Sequence, residues 1–247
     1  MKNLNRIKKD FERIKKKGFV KSTRPNNKDG GIGNTYEDLL GVIENNLKEA
    51  DYLGFEIKSK RKNNTSYVSL FSKSPSFPKG ANSHLREEYG EVRDPSHPDR
   101  KKLNTSVFGN RYTTVYGKYK MKLEVNYNEK RLYLNIYSLD EKLIERIYWT
   151  FKDLKKASGK MKDLMLVFAE TKTIKNETLF HFNNAEIYIN FLFDNFLKSI
   201  ENGSIMFDIR IGVYNSGKNE GKTHDHGSAF RIKKEDFKNL YEKYEKI

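Results

Sequence analysis

The segment DYLGFEIK, from Asp51 to Lys58, places an acidic residue just before a short run with the character of a strand. Side chains alternate between the two faces of a strand, so Phe55 and Ile57 share one face and Glu56 shares the other with Lys58. The segment therefore predicts a half-buried strand that presents three charged groups close together.

The elements on either side of this strand alternate in type. Apolar residues at helical spacing predict a first helix that ends near Gly18, and Thr35 is expected to cap the helix YEDLLGVIENNL. Strands are predicted for YVSLFSK, for a hairpin around Asn128 and Glu129, and for LMLVFA, SIMFDIRIGVY and SAFRIK. The segments NNAEIYINFLFDNFLKSIENG and KEDFKNLYEKYEKI are predicted to be helices, and residues 73–114 to be rich in loops. The pattern indicates a mixed α/β fold.

Size and composition favour one folded domain over residues 1–247. The chain is 36% hydrophobic and 13% aromatic, which supplies a sizeable core, and no linker long enough to separate domains is visible. We expect the catalytic elements at about residues 30–75 and the recognition elements at about residues 204–232.

The charge of the chain favours a polyanionic partner. Lys and Arg number 48 against 33 Asp and Glu, a formal net charge of +15, although a lysine-rich proteome produces the same excess. No apolar run reaches the roughly 20 residues of a membrane span, and the charged first helix contains no apolar signal core. The absence of cysteine fits a reducing compartment. We expect a cytoplasmic prokaryotic protein that binds nucleic acid and no membrane.

Asp51, Glu56 and Lys58 form a D-x4-E-x-K pattern that suits metal-dependent phosphodiester hydrolysis. Carboxylate oxygens are the ligands that Mg²⁺ prefers, and the carbonyl of Ile57 is a further candidate ligand. Lys58 is a candidate to orient the attacking water, and Glu37, on the preceding helix, to supply another carboxylate. Three charged residues in a chain that is 33% charged also fit a solvated strand edge, and Glu37 also fits an ordinary first-turn glutamate.

A second cluster lies in the segment DIRIGVYNSGKNEGKTHDHGSAFR. Arginine and histidine donors reach guanine in the major groove of DNA, and aspartate accepts from cytosine. Asp208, Arg210, His226 and Arg231, with His224, are therefore candidates for base recognition. Two other interpretations remain: a histidine metal pair of the kind that oxygenases use, and an ordinary polar loop.

Three basic residues in FSKSPSFPKGANSHLR are candidates for contacts with the DNA backbone. These residues are Lys73, Lys79 and Arg86. Solvated surface positions explain them equally well.

Taken together, these segments resemble the MvaI/BcnI family of type II restriction endonucleases, which is related to the mismatch-repair nickase MutH. The matching stretches are GGIGNTYEDLL, DYLGFEIK, LFSKSPSFPKGAN, VFGNR, ENGSIMFDIRIG and SGKNEGKTHDHGSAFR. The resemblance implies a restriction-endonuclease-like, PD-(D/E)xK mixed-sheet core with two lobes around a DNA cleft. It assigns Asp51, Glu56, Lys58 and Glu37 to catalysis and the second cluster to base recognition.

The resemblance also implies an activity and its partners. We expect a monomer that hydrolyses double-stranded DNA with Mg²⁺ at a CC-N-GG site, CC(A/T)GG on the MvaI side of the family. The products would carry 5′-phosphate and 3′-hydroxyl ends, and the host would hold a matching DNA methyltransferase. The alternatives are a MutH-like nickase that requires activation by another protein and a DNA-binding protein that does not cleave.

Overall fold

The computed structural model describes residues 2–24, 31–42, 50–62 and 67–247. Its α-helices are α1 (Lys2–Lys15), α2 (Gly31–Leu40), α3 (Ala81–Tyr89), α4 (Phe151–Ser158) and α5 (Phe193–Glu201). Its strands are β1 (Val20–Lys21), β2 (Phe55–Arg61), β3 (Val68–Ser69), β4 (Glu91–Val92), β5 (Lys101–Phe108), β6 (Thr113–Val115), β7 (Tyr119–Asn126), β8 (Arg131–Tyr137), β9 (Leu143–Thr150), β10 (Asp163–Ile174), β11 (Glu177–Phe191), β12 (Ile205–Val213), β13 (Thr223–Asp225), β14 (Ala229–Ile232) and β15 (Tyr241–Lys246). Short 3₁₀ helices lie at Gly159–Met161 and Lys234–Leu240.

The chain folds into two compact units, each assembled from separate segments. The first unit contains Met1–Ser66, Gly159–Leu192 and Lys238–Ile247, and the second contains Tyr67–Ser158 and Phe193–Phe237. The predicted strand of Glu56 belongs to the first unit, and the predicted recognition cluster belongs to the second. In the described ranges no helix is long and apolar enough to cross a membrane.

The first unit is a five-stranded sheet with two helices in its core. The strand order is β1-β11-β10-β2, with β15 beside β11, and β2 runs parallel to β10. The segment LMLVFA lies in the first half of β10, as a strand as predicted, and Leu164 to Val167 are fully buried, because a central strand of a sheet is covered on both faces. The core joins α1 and α2 to the sheet through Ile7, Phe11, Ile14, Ile32, Tyr36, Leu40, Phe55, Ile57, Met165, Val167, Phe180, Phe182 and Ile187.

The second unit contains two sheets that share an aromatic core. A six-stranded sheet has the order β3-β14-β12-β5-β4, with β13 on β12, and a four-stranded sheet has the order β6-β7-β8-β9. Trp149 of β9 packs edge-on against Phe207 of β12, with ring centroids 4.8 Å apart, and against Phe230 of β14. The predicted hairpin is the turn between β7 and β8, with Leu123 opposite Leu134. Because aromatic rings bury large areas, this cluster fixes β12 firmly in the unit.

Two predicted helices are wrong in part. The segment before α5 is a strand through Phe191, because it pairs with β10 as far as Ile189 and with β15 as far as Phe191. Ala185 and Ile187 join the core with α1 and α2, while Glu186 and Tyr188 are also buried, so no polar face revealed the strand period. The predicted final helix is a 3₁₀ segment followed by β15, which gains its backbone hydrogen bonds from the edge of β11.

The second helix and the stretch predicted as loop-rich also differ from expectation. Helix α2 begins at Gly31, so Thr35 lies inside it and its hydroxyl donates to the Gly31 carbonyl at 2.6 Å. The helix ends at Leu40, before Gly41, whose φ of +76° suits glycine, and residues 43–47 of the predicted helix lie outside the described residues. Residues 73–114 contain α3, β4, β5 and the start of β6. YVSLFSK forms only the short strand β3.

Candidate functional site

Glu56 and Lys58 lie side by side on one face of β2, as the alternation predicts. The Glu56 side chain is only 4% exposed, and Lys58 Nζ donates to its Oε1 at 3.3 Å. Burial lowers the pKa of Lys58, although the neighbouring Glu56 charge acts in the opposite direction. The pair is therefore a buried carboxylate with a lysine held against it, not a solvated strand edge.

A second lysine, which the sequence did not single out, also reaches Glu56. Lys160 lies in the 3₁₀ turn Gly159–Met161 that leads into β10, and its Nζ is 2.8 Å from Glu56 Oε1. Strand β10 pairs in parallel with β2, with Leu164 opposite Glu56, so the start of β10 brings Lys160 to the carboxylate. No sequence motif links residues about a hundred positions apart, and only the sheet pairing reveals this contact.

Asp51 precedes β2 in a tight turn that helix α1 holds in place. Its Oδ2 accepts a hydrogen bond from the Ile57 amide at 2.9 Å. Tyr52 in the turn donates to buried Asp10 of α1 at 2.9 Å, and Asn3 donates to the Leu53 carbonyl. Local burial of the carboxylate raises the pKa of Asp51, and the nearby Glu56 charge also raises it, against the lowering effect of the Ile57 amide.

Glu37 lies half-buried on α2, in the helix that the sequence predicted. The buried face of α2 shares the core with β2, through Tyr36 and Ile57 among others. The Glu37 side chain points toward Gly33, about one helical turn earlier on α2. Its Oε1 atom is 4.0 Å from the position that a Cβ on Gly33 would occupy. The catalytic role of Glu37 stays a prediction.

The donors around Glu56 fit a divalent cation. Across the described part of the chain, the buried Oε2 atom of Glu56 has no hydrogen-bond partner, and such an atom is costly unless something binds it. Asp51 adds a second carboxylate and Ile57 a main-chain carbonyl, the hard oxygen donors that Mg²⁺ prefers. Within residues 2–24, 31–42, 50–62 and 67–247, no three His, Asp or Glu side chains converge, so a metal here would keep several water ligands.

In the second unit, Asp208 is the centre of a charged cluster on β12. This residue is 7% exposed, and its Oδ1 accepts from Ser106 Oγ at 3.0 Å. Its Oδ2 accepts from Arg210 Nε at 2.7 Å and forms an ion pair with Arg231 Nε at 2.8 Å, without the alignment of a hydrogen bond. The Arg210 side chain is half-exposed, while burial lowers the pKa of Arg231. One buried carboxylate thus holds two arginine side chains in defined positions.

The segment THDHG is braced by hydrogen bonds on both sides. Asp225 Oδ1 accepts from the amides of Gly227 and Ser228 at 2.9 and 2.6 Å, and its Oδ2 accepts from Asn82 of α3. Gly227 has a φ of +102°, a conformation that a side chain would strain. The Ser228 hydroxyl accepts from the Arg210 amide at 2.8 Å, so the turn is joined to β12.

Arg86 does not have the surroundings that a contact with DNA phosphate requires. This residue is 6% exposed, and its guanidinium donates to the Thr223 hydroxyl, the Asp99 carbonyl and Glu87. Its nitrogen atoms are already engaged, so the structure favours a supporting role beneath β13 over the predicted backbone contact. Lys79 is exposed and Lys73 is half-buried, and their predicted phosphate contacts stay predictions.

His224 stacks on Tyr214 with the ring of His226 tilted beside it, and the two histidines do not form an open metal pair. The His224 ring lies against Tyr214, with centroids 4.0 Å apart and planes 12° apart, and the centroid of His226 follows at 4.3 Å. A Cβ on Gly212 would lie 3.0 Å from His226 Nε2, so this glycine leaves room for the ring. Since no third ligand converges on them in the described ranges, the arrangement does not favour the oxygenase interpretation.

His226 is expected to titrate below its ordinary pKa of 6.5. Burial lowers the pKa of His226, and the nearby His224 and Lys102 lower it further, against the opposing charge of Asp225. At pH values between the pKa of His226 in the folded protein and its pKa of 6.5 in the unfolded chain, the unfolded chain binds more protons than the folded protein. The resulting stability is present above pH 6.5 and is lost as the pH falls through the folded pKa.

This expectation can be checked by NMR titration of the imidazole Cε1 proton. Replacing His224 by glutamine removes one nearby charge and is expected to raise the pKa of His226, whereas His97→Gln, at an exposed position, leaves it unchanged. A His226 pKa above 6.5 in the native protein would contradict the expected downward shift.

An open pocket lies over this cluster. It has a volume of about 590 Å³, and its lining includes Asp208, Arg210 and His226 together with Lys102 and Asn104 of β5. Asn104 pairs directly with Arg210 in the β5–β12 register and is exposed. The sequence missed these two positions because they lie in the stretch predicted as loop-rich, where no strand pattern was recognised.

Comparisons with known proteins point to one family of restriction endonucleases. The model of the MvaI/BcnI restriction endonuclease family matches residues 8–241. A restriction endonuclease MvaI–cognate DNA substrate complex is similar at 33% identity and a TM-score of 0.87, covering 99% of this chain and 98% of that one. Restriction endonuclease MvaI in the absence of DNA is similar at 34% identity and a TM-score of 0.66, covering 100% and 98%. A search of curated proteins finds no match.

Proposed function

The chain belongs to the MvaI/BcnI restriction endonuclease family and is a type II restriction endonuclease with a restriction-endonuclease-like fold; from this premise we propose its target, its metal and its products. The proposed reaction is Mg²⁺-dependent hydrolysis of double-stranded DNA at a CC-N-GG site, CC(A/T)GG in the first instance, by a monomer. The products carry 5′-phosphate and 3′-hydroxyl ends. The observation that carries the catalytic part concerns the buried carboxylate of Glu56. Its Oε1 atom contacts the ammonium group of Lys58, and its Oε2 atom has no hydrogen-bond partner in the described chain.

The first unit supplies the groups for hydrolysis. Glu56, Asp51 and the Ile57 carbonyl are the residues that would hold Mg²⁺. When bound there, the metal would polarise the phosphate and lower the pKa of a water ligand. Lys58, held against Glu56 and with a lowered pKa, is placed to orient the attacking water and to offset negative charge as it develops on the phosphate.

The second unit supplies the groups for base recognition. Arginine donates two hydrogen bonds to guanine O6 and N7, and an aspartate accepts from cytosine N4. Arg210, half-exposed at the pocket, and Arg231 are the candidates for guanine, while Asp208 fixes both guanidinium groups. We assign His226, and more weakly His224, to the same base edges. The host is expected to contain a DNA methyltransferase that makes the host's own target sites resistant to cleavage.

Plasmid digestion tests the proposed reaction. Purified protein with Mg²⁺ is expected to yield discrete fragments, with EDTA as the control, and sequencing of the ends should give a shared CC-N-GG core. Fragments with a different shared core would refute the proposed target. Cleavage of one strand only, and only with an added protein, would instead support a MutH-like nickase. Sequence-specific binding without cleavage in any divalent cation would support a binding protein.

Binding to DNA is expected to weaken steeply with salt. The net charge of +15 implies many phosphate contacts, each of which releases counterions. Between 50 and 200 mM salt the affinity should fall ~10³-fold or more if about six contacts form. Fluorescence anisotropy with a labelled duplex in Ca²⁺ measures this slope. An affinity that stays constant over this range would contradict a binding surface dominated by lysine and arginine.

A further inference from the structure

Among the described residues, Lys160 is the cation closest to the proposed metal ligand Glu56, and the proposed reaction gives it no role. Both lysines approach the same Glu56 atom, Oε1, with Lys160 at 2.8 Å and Lys58 at 3.3 Å. A carboxylate that is 4% exposed is unstable without such partners, because its charge has lost most of its water. The two lysines therefore do for Glu56 what a bound divalent cation would do.

The two lysines differ in how easily each can leave. The Lys160 side chain is 34% exposed and Lys58 only 18%, so Lys160 can turn its ammonium group into water while Lys58 would remain largely buried. Lys160 comes from a short turn before β10, and its charge also acts on Asp51, the second carboxylate of the proposed site. A metal that approaches Glu56 and Asp51 thus meets Lys160 as a competing positive charge.

We propose that Lys160 is a positioning residue that occupies Glu56 until the divalent cation binds. In this role it stabilises the metal-free protein and lowers the affinity for the metal. Its release on metal binding leaves a positive charge beside the site, where an anionic group of the DNA can receive it. The inference rests on the proposed function, since it requires that Glu56 bind a metal.

Isothermal titration with Ca²⁺ alone, without DNA, tests the competition in the full-length protein. Lys160→Met keeps the length of the side chain and removes its charge, and we expect it to bind Ca²⁺ about tenfold more tightly than the wild type, because a like charge close to the site has gone. Lys160→Arg retains the charge and is expected to bind Ca²⁺ as weakly as the wild type. Lys162→Met is the matched control, since Lys162 is an exposed lysine in the same segment.

Thermal unfolding gives a second measure that does not depend on activity. Without metal, Lys160→Met is expected to unfold at a lower temperature than Lys162→Met, and saturating Ca²⁺ should narrow that gap. Equal Ca²⁺ affinity in the wild type and Lys160→Met, with affinity lost in Glu56→Gln, would overturn the competition and leave the metal site intact. Equal Ca²⁺ binding by the wild type and Glu56→Gln would overturn the metal site, and the inference with it.

Discussion

Replacing Glu56 by glutamine is expected to lower the rate of DNA cleavage on the order of 10³-fold or more. The substitution keeps the shape of the side chain and removes the charge that Lys58 and Lys160 contact at 3.3 and 2.8 Å. Loss of a metal ligand removes several kcal/mol of transition-state stabilisation, and about 1.4 kcal/mol corresponds to each factor of ten in rate. Single-turnover cleavage of a CC(A/T)GG duplex in saturating Mg²⁺ measures the effect.

Binding distinguishes a catalytic role for Glu56 from a role in folding. Glu56→Gln and Lys58→Ala should both retain affinity for the duplex in Ca²⁺, because base recognition is assigned to the second unit. Glu170→Gln removes an exposed glutamate that pairs with Lys62 on the same sheet and should cleave normally. Near-normal cleavage by either Glu56→Gln or Lys58→Ala would refute the assignment of that residue.

Replacing Asp208 by alanine is expected to remove most of the discrimination between CC(A/T)GG and unrelated DNA. The carboxylate holds Arg210 and Arg231 at 2.7 and 2.8 Å, and without it neither guanidinium keeps its position. A well-placed bidentate contact contributes ~1–3 kcal/mol of discrimination. The variant should also lose ~3 kcal/mol of unfolding free energy or somewhat less, since the Arg231 side chain is mostly buried whereas that of Arg210 is half-exposed.

Two affinities and one unfolding curve check this prediction. Dissociation constants for the CC(A/T)GG duplex and for a duplex with the outer pairs inverted give the discrimination, and denaturant unfolding gives the stability. Asp208→Asn can still accept from Ser106, so it should be more stable than the alanine variant while discriminating poorly. A variant without Asp208 that still prefers the first duplex by the wild-type factor would show that the arginines are not held by this residue.

The sequence predicted strand β2 because its period was visible. Phe55 and Ile57 are apolar and their neighbours are charged, so the two faces of β2 could be told apart. The same logic failed for β11, where both faces are buried and polar residues such as Glu186 lie inside the protein. Helical and extended conformations then share one apolar pattern, and only pairing with β10 decides between them.

Contacts between distant segments could not be predicted from the sequence. Lys160 reaches Glu56 because β10 and β2 run in parallel, and Ser106 reaches Asp208 because β5 pairs with β12. Neither pair has a local signature, since a lysine among many lysines and a serine in a polar stretch carry no pattern of their own. The surroundings of Arg86 were hidden for the same reason: the arginine was visible, but the burial that engages its guanidinium was not.

The interleaving of the two units has a consequence for how the enzyme is made. The chain passes between them at residues 66–67, 158–159, 192–193 and 237–238, so no single cut separates one from the other. A nascent chain of 190 residues already holds Glu56, Lys58 and Lys160, but it lacks β12, β14 and the strand β15 that extends the first sheet. Such a nascent chain therefore holds the proposed hydrolytic groups without the proposed recognition groups, which are completed only late in synthesis. For the same reason, recognition cannot be exchanged between relatives by joining two fragments at one point.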